Sequence, residues 1–174
     1  MNMRRNVYGL VLVSLLIGAM LSGCGGSSAG AGSAIDACKL LTQPDAEAVL
    51  GGTVKAPENP VSGEGLAVVT SCKYRVAAAP SVNNVSIIVR RLDSADAAKQ
   101  DFEQLKKDMQ PKLNVTPTEV AGVGDAAFWS GGSVNQLAVL KGKVQLLIYV
   151  NGPQSGEPDA AAKMLATKAL GRLP

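Results

Sequence analysis

"NNVSIIVRRLDSADAAKQDFEQLKKDM", Asn83 to Met109, changes its hydrophobic period halfway along. Up to Leu92 the stretch is dense in β-branched residues, which is the composition of a strand. After Asp93 and Ser94 the apolar residues fall at Ala98, Phe102, Leu105 and Met109, in steps of four, three and four, the stripe of an amphipathic helix. Asp93 or Ser94 serves as its N-cap, and Pro111 is expected to stop it. A strand that runs straight into a helix with one apolar face predicts a helix laid on a sheet.

The flanking sequence extends this pattern in both directions. Upstream, "TSCKYRV" (Thr70 to Val76) reads as a second strand, with a turn at Pro80 to Asn84 between the two. Before it, in "DACKLLTQPDAEAVLGG", Thr42 caps a short helix with Asp45 three residues on, Pro44 sits in the first turn and Gly51 ends it. Downstream, "DAAFWS", "VNQLAVL" and "VQLLIYV" read as three short strands, the last two joined in a hairpin through Lys141-Gly142-Lys143. A final helix begins near Pro158, with Ala162, Leu165, Ala166, Ala169 and Leu173 on its apolar face and Gly171 near its end. Most strands are close enough for tight turns. The expected fold is α+β, a single antiparallel sheet with helices packed on it, in one domain over residues 35–174.

The amino-terminal region has a different composition. Arg4 and Arg5 precede an apolar run from Val7 to Met20, the layout of a secretory signal. That run is shorter than the roughly 20 residues a helix needs to cross a bilayer core. Leu21-Ser22-Gly23-Cys24 resembles the lipobox of bacterial lipoproteins, in which the cysteine is diacylated and becomes the N-terminus on cleavage. The resemblance implies a signal peptide over residues 1–23, lipidation of Cys24, and a Gly/Ser linker over residues 24–34. By composition that linker is a flexible coil with an r.m.s. reach of about 17 Å.

Acylation of Cys24 simplifies the cysteine count. The chain has 3 cysteines, and an odd number outside the cytoplasm leaves one reactive thiol. With Cys24 acylated, Cys38 and Cys72 remain, and a disulfide between them is expected in an oxidising compartment. The alternative is two buried free thiols. Removal of Arg4 and Arg5 with the leader reduces 17 basic residues to 15 against 14 acidic ones, a formal net charge of +1. Nucleic acid is not an expected partner.

Asp36-Ala37-Cys38-Lys39-Leu40-Leu41-Thr42, Ser71-Cys72-Lys73-Tyr74 and Gly122 to Trp129 together resemble the sparse signature of small actinobacterial lipoproteins built on a domain of unknown function. That resemblance implies an exported, anchored α+β domain with a disulfide. It implies no catalytic residues.

The chemical motifs are weak. Gly122-Val123-Gly124-Asp125-Ala126-Ala127 spells a dinucleotide fingerprint, but that motif needs a following helix and an acidic residue about 20 positions on. Here Phe128-Trp129-Ser130-Gly131-Gly132 follows, and no Asp or Glu occurs between Asp125 and Glu157. A tight turn entering a strand is the expected role. Gly26-Ser27-Ser28-Ala29-Gly30 spells a nucleophile elbow, yet the chain contains no histidine to act as its base. Asp93, Asp96 and Asp101 lie near a helix start with spacing unlike a calcium loop, so helix-dipole complementation is the simpler role. No metal and no cofactor is expected.

Two groups are candidate binding residues. Lys73 and Arg75 point away from Cys72 and Tyr74 on their strand, and Arg90 joins them from the next strand where the register allows. They read either as a solvated sheet face or as an anion-binding patch. Phe128 and Trp129 are strand neighbours on opposite sides, so both enter the core only if both faces of the sheet are covered. Trp129, beside two glycines, is the candidate for the exposed one, since tryptophan is enriched at binding hot spots.

The expected function is therefore a lipid-anchored envelope module that binds rather than catalyses, on the outer side of the cell membrane or in an outer membrane. Its partners are the membrane, through the lipid, and an envelope protein or a small anionic or apolar ligand. An assembly factor of an envelope complex is the alternative, and a hydrolase without histidine the weaker one. An accessory binder needs a concave site, whereas an assembly factor needs an exposed patch.

Overall fold

The computed structural model describes residues 34–58, 61–62, 67–78 and 82–174. The expected signal peptide, the acylated Cys24 and the linker up to residue 33 lie outside the described residues.

The stretch from Asn83 to Met109 folds as its periods require. Strand β3 covers Asn84–Leu92, and helix α3 covers Ala95–Leu113 with Ser94 as N-cap, its hydroxyl accepting from the Ala97 amide. Ala98, Phe102 and Met109 are its buried residues. Pro111 does not stop the helix, contrary to the sequence expectation. It sits in the last turn, and Asn114 ends the helix in the left-handed conformation, its amide reaching back to Gln110 and Met109.

Before β3 come α1 (Ala37–Leu40), α2 (Gln43–Leu50), β1 (Val61–Ser62) and β2 (Ala67–Arg75). After α3 come β4 (Thr118–Glu119), β5 (Ala126–Ser130), β6 (Gln136–Lys141), β7 (Val144–Asn151) and α4 (Pro158–Leu170). The strands form one antiparallel sheet in the order β1-β2-β3-β7-β6-β5-β4. The turn expected at Pro80 to Asn84 falls partly outside the described residues, and Asn84 already pairs with Arg75 inside the ladder.

Both faces of the sheet are covered. Helices α1, α2 and α4 pack on one face, where Cys72, Tyr74, Val85, Ile87, Val89, Leu146, Ile148 and Val150 meet Leu40, Val49 and Leu165. Helix α3 packs on the other, closing a smaller core of Leu92, Phe102, Phe128, Ala138 and Leu147. The Phe102 and Phe128 rings lie 5.0 Å apart at 53°, a tilted pair of the kind worth about 1 kcal/mol beyond burial. Cys38 on α1 and Cys72 on β2 form the expected disulfide.

The glycine motif at 122–124 is a turn. Gly122 and Gly124 both have positive φ, and a Cβ on Gly124 would stand 2.5 Å from the Leu140 carbonyl oxygen. From this turn Asp125 binds the β6–β7 hairpin, accepting from the Gly142 amide and from Lys141 Nζ. Gly124→Ala should therefore lower stability by about 1 to 2 kcal/mol through strain and the clash. A urea midpoint unchanged from wild type would refute that.

Candidate functional site

The chain enters the described domain at one end of the sheet, and this entry is fixed by named bonds. The Thr70 hydroxyl on β2 donates to the Ile35 carbonyl, 2.5 Å away and buried. Asp36 then caps α1 by accepting from the Cys38 amide. Arg172, just past α4, donates to the Leu40 carbonyl and pairs with Asp45. The ends of α1, β3, β7 and α4 therefore converge on one place.

Two adjoining grooves open there. The larger, about 640 Å³, is lined by Ile35, Arg91, Lys141, Lys143, Val144, Leu170, Leu173 and Pro174. The smaller, about 390 Å³, shares Ile35, Arg91 and Pro174 and adds Ala34, Asp36, Lys39, Leu40 and Arg172. The pair has a basic rim of Lys39, Arg91, Lys141, Lys143 and Arg172 over an aliphatic floor, with Asp36 as the acidic residue among its walls. Lys141 pairs with Asp125 and Arg172 with Asp45, whereas Lys39 and Lys143 are exposed and have no ion pair among the described residues.

Asp45 anchors this end of the molecule from below. Its side chain is 4% exposed and pairs with Lys168 and Arg172 on one side, while Thr42 donates to it through both amide and hydroxyl on the other. Burial opposes its ionisation, but the bonds from Arg172, Thr42 and Lys168 outweigh that and hold the carboxyl well below the usual carboxylate range.

The binding residues expected from the sequence lie elsewhere and do not form one site. Lys73 and Arg75 share a face, as their alternation requires, but at the opposite end of the strands from the grooves. Lys73 is paired with Ser86 across the ladder, five residues along β3 from Arg91, roughly 17 Å. Arg75 forms an ion pair with Glu58. Arg90 does not join them. It lies opposite Val69, where α3 crosses the sheet, and its guanidinium bonds both oxygens of Asp101 and the Gln145 side chain. Gln145, fully buried, passes the chain of bonds on to the Ala98 carbonyl. The Arg90 bonds hold the Asp101 carboxyl below its ordinary range. The expected anion patch is thus reduced to Lys73, because the charge of Arg90 serves to seat α3.

Trp129 is partly buried against the larger core, with Gly131 packed close to its indole nitrogen, while Phe128 is fully buried on the other face. Covering both faces brings both aromatics in. A polar row crosses the sheet on the α3 face, where Lys73, Ser86, Tyr149, Gln136 and Ser130 are successive partners. Ser130 Oγ and Gln136 Nε2 in that row are buried and bond to no described residue.

Among the described residues no group of three or more His, Cys, Asp or Glu is placed to hold a metal ion. The carboxylates whose ionisation is perturbed, Asp45, Asp101, Asp108 and Asp125, are all shifted downward by basic or hydrogen-bonding neighbours. A general acid at neutral pH needs the opposite shift.

Sequence reading missed the basic rim. Its residues come from four separate segments, and Lys141 and Lys143 read only as parts of a turn. The available signal was the clustering of Lys141, Lys143 and Arg172 at element ends, which becomes a site only once the strand order is known. No helix among the described residues is long and apolar enough to cross a membrane. No protein-family model matches the chain, and no curated protein matches it.

Proposed function

We propose that the protein is a lipid-anchored module of the cell envelope, tethered through Cys24 on the extracytoplasmic side, that works by binding and not by bond-making. The observation that carries this reading is the basic, aliphatic-floored groove pair at the end of the domain where the chain arrives from Cys24. Concave sites with an apolar floor and a few convergent polar groups are where ligands bind. The exposed Lys39 and Lys143 of the rim, which make no ion pair among the described residues, favour an anionic ligand, and the floor favours one with an apolar part. The downward-shifted carboxylates and the lack of histidine speak for binding over acid–base catalysis. The signal segment, the lipobox and the disulfide support an address outside the cytoplasm.

The test is saturable capture of an anionic envelope component by the acylated protein purified from its own membranes. Lys39→Gln/Lys143→Gln should weaken capture at least fivefold, and Lys73→Gln should leave it unchanged. Equal capture by the groove variant would remove the groove from the function. Turnover of the captured component by the pure protein would overturn the binding reading.

A further inference from the structure

We infer that the groove pair docks the domain on the anionic phospholipid headgroups of the membrane that carries its own lipid anchor. The inference rests on the anchored reading above and names the ligand of that site. Three observations converge on it.

The first is position. Ala34 forms part of the wall of the smaller groove, so the segment leading to Cys24 leaves from the groove's own rim. About ten residues separate the two, and even fully extended they reach no more than about 36 Å. A domain of this length has a radius of gyration near 14 Å, so the tether keeps the domain within about its own width of the bilayer and is attached at the groove end.

The second is charge. The mature chain is nearly neutral, at a formal +1, yet five cations gather on this rim beside Asp36, two of them, Lys141 and Arg172, paired with Asp125 and Asp45. Lys39 and Lys143 keep their whole charge for a ligand, since they are exposed and make no ion pair among the described residues. At the far end, Arg75 is neutralised by Glu58. Lys55 and Lys73 there also make no ion pair among the described residues, so what distinguishes the rim is that its unpaired cations stand beside the tether and over an apolar floor.

The third is the floor. Ile35, Val144, Leu170 and Leu173 give the basic rim an aliphatic base, the combination that meets a headgroup with its glycerol and first methylenes. A small free anion would use the rim and leave this floor idle.

The experiment uses the acylated full-length protein reconstituted into vesicles, either pure phosphatidylcholine or one-third phosphatidylglycerol, and follows backbone hydrogen exchange at Lys141–Val144. A cation near an anionic surface gains about fivefold in affinity. Exchange at this turn should slow several-fold on the phosphatidylglycerol vesicles at low salt, and the slowing should vanish at high salt. Lys39→Gln/Lys143→Gln should lose roughly 25-fold in this surface affinity and exchange as if on neutral lipid. The strand around Lys73 should be unaffected throughout. Equal exchange on the two vesicle types, or full protection in the double variant, would overturn the inference. Protection by glycerol phosphate added to neutral vesicles would also overturn it, in favour of a free-anion site. The mass of the N-terminal peptide is read in the same samples. Failure on a chain whose Cys24 carries lipid counts against docking alone, whereas an unacylated Cys24 removes the anchored reading beneath it.

Discussion

Replacing Cys38 and Cys72 together by alanine is expected to lower the unfolding free energy by roughly 3 to 4 kcal/mol, the entropy of closing a loop with a sequence separation of 34 residues. The bridge also has a local task. Helix α1 has 4 residues, far too few to persist alone, and the disulfide pins it to β2. Ile35 and Lys39 are carried with it, so the groove loses a wall as well as the domain losing stability. Urea unfolding of the double variant beside the oxidised wild type measures the effect. A loss below about 1 kcal/mol would mean that α1 is held by packing alone.

The second large effect is expected at Asp45. Asp45→Asn keeps the shape of the side chain but removes the charge on which Arg172 and Lys168 converge. Breaking a fully buried pair costs about 3 to 5 kcal/mol. Arg172 and Lys168 are 35% and 42% exposed, so solvent screening reduces the expected loss to about 2 kcal/mol at neutral pH. Its pH dependence identifies the cause. The folded-state carboxyl is depressed, so its contribution is fully present above the unfolded value near 4 and is lost as the pH falls below it. The gap between wild type and Asp45→Asn should therefore narrow progressively below about pH 4. A gap that persists unchanged into strong acid would assign the loss to packing and not to charge.

How far the sequence specifies this molecule depends on how local each feature is. Helix α3 was legible because Ala98, Phe102 and Met109 recur at the helical period behind a Ser94 cap, and α2 because Thr42, Asp45 and Gly51 hold the cap positions that physics favours. The end of α3 was misread because a proline three residues before a left-handed asparagine is tolerated in a last turn, where Asn114 already ends the ladder. Helix α1 was missed because four residues carry no period. The two-residue strands β1 and β4 were missed because they exist only through pairing with β2 and β5.

The strand order could not be read at all, since register between distant segments is set by the assembled core. The placement of the basic residues follows from that. Arg90 lies on the face expected, but its partner Asp101 comes from a helix whose path over the sheet is a tertiary property. The basic rim unites residues from four separate segments of the chain, so its charge is invisible to any local window. The lipobox resemblance is the opposite case: Leu21-Ser22-Gly23-Cys24 is wholly local, so the proposal of an anchor needs no fold.

Everything functional in this account depends on that anchor, because the groove is near a membrane only if Cys24 is. The most direct measurement is the intact mass and N-terminal sequence of the mature protein extracted from the membranes of cells that express the full chain. The account predicts a chain that begins at Cys24, carries the added mass of a diacylglyceryl group there, partitions into detergent, and is released from membranes by Cys24→Ala. A mature chain with an unmodified Cys24, recovered in the soluble fraction, would contradict it.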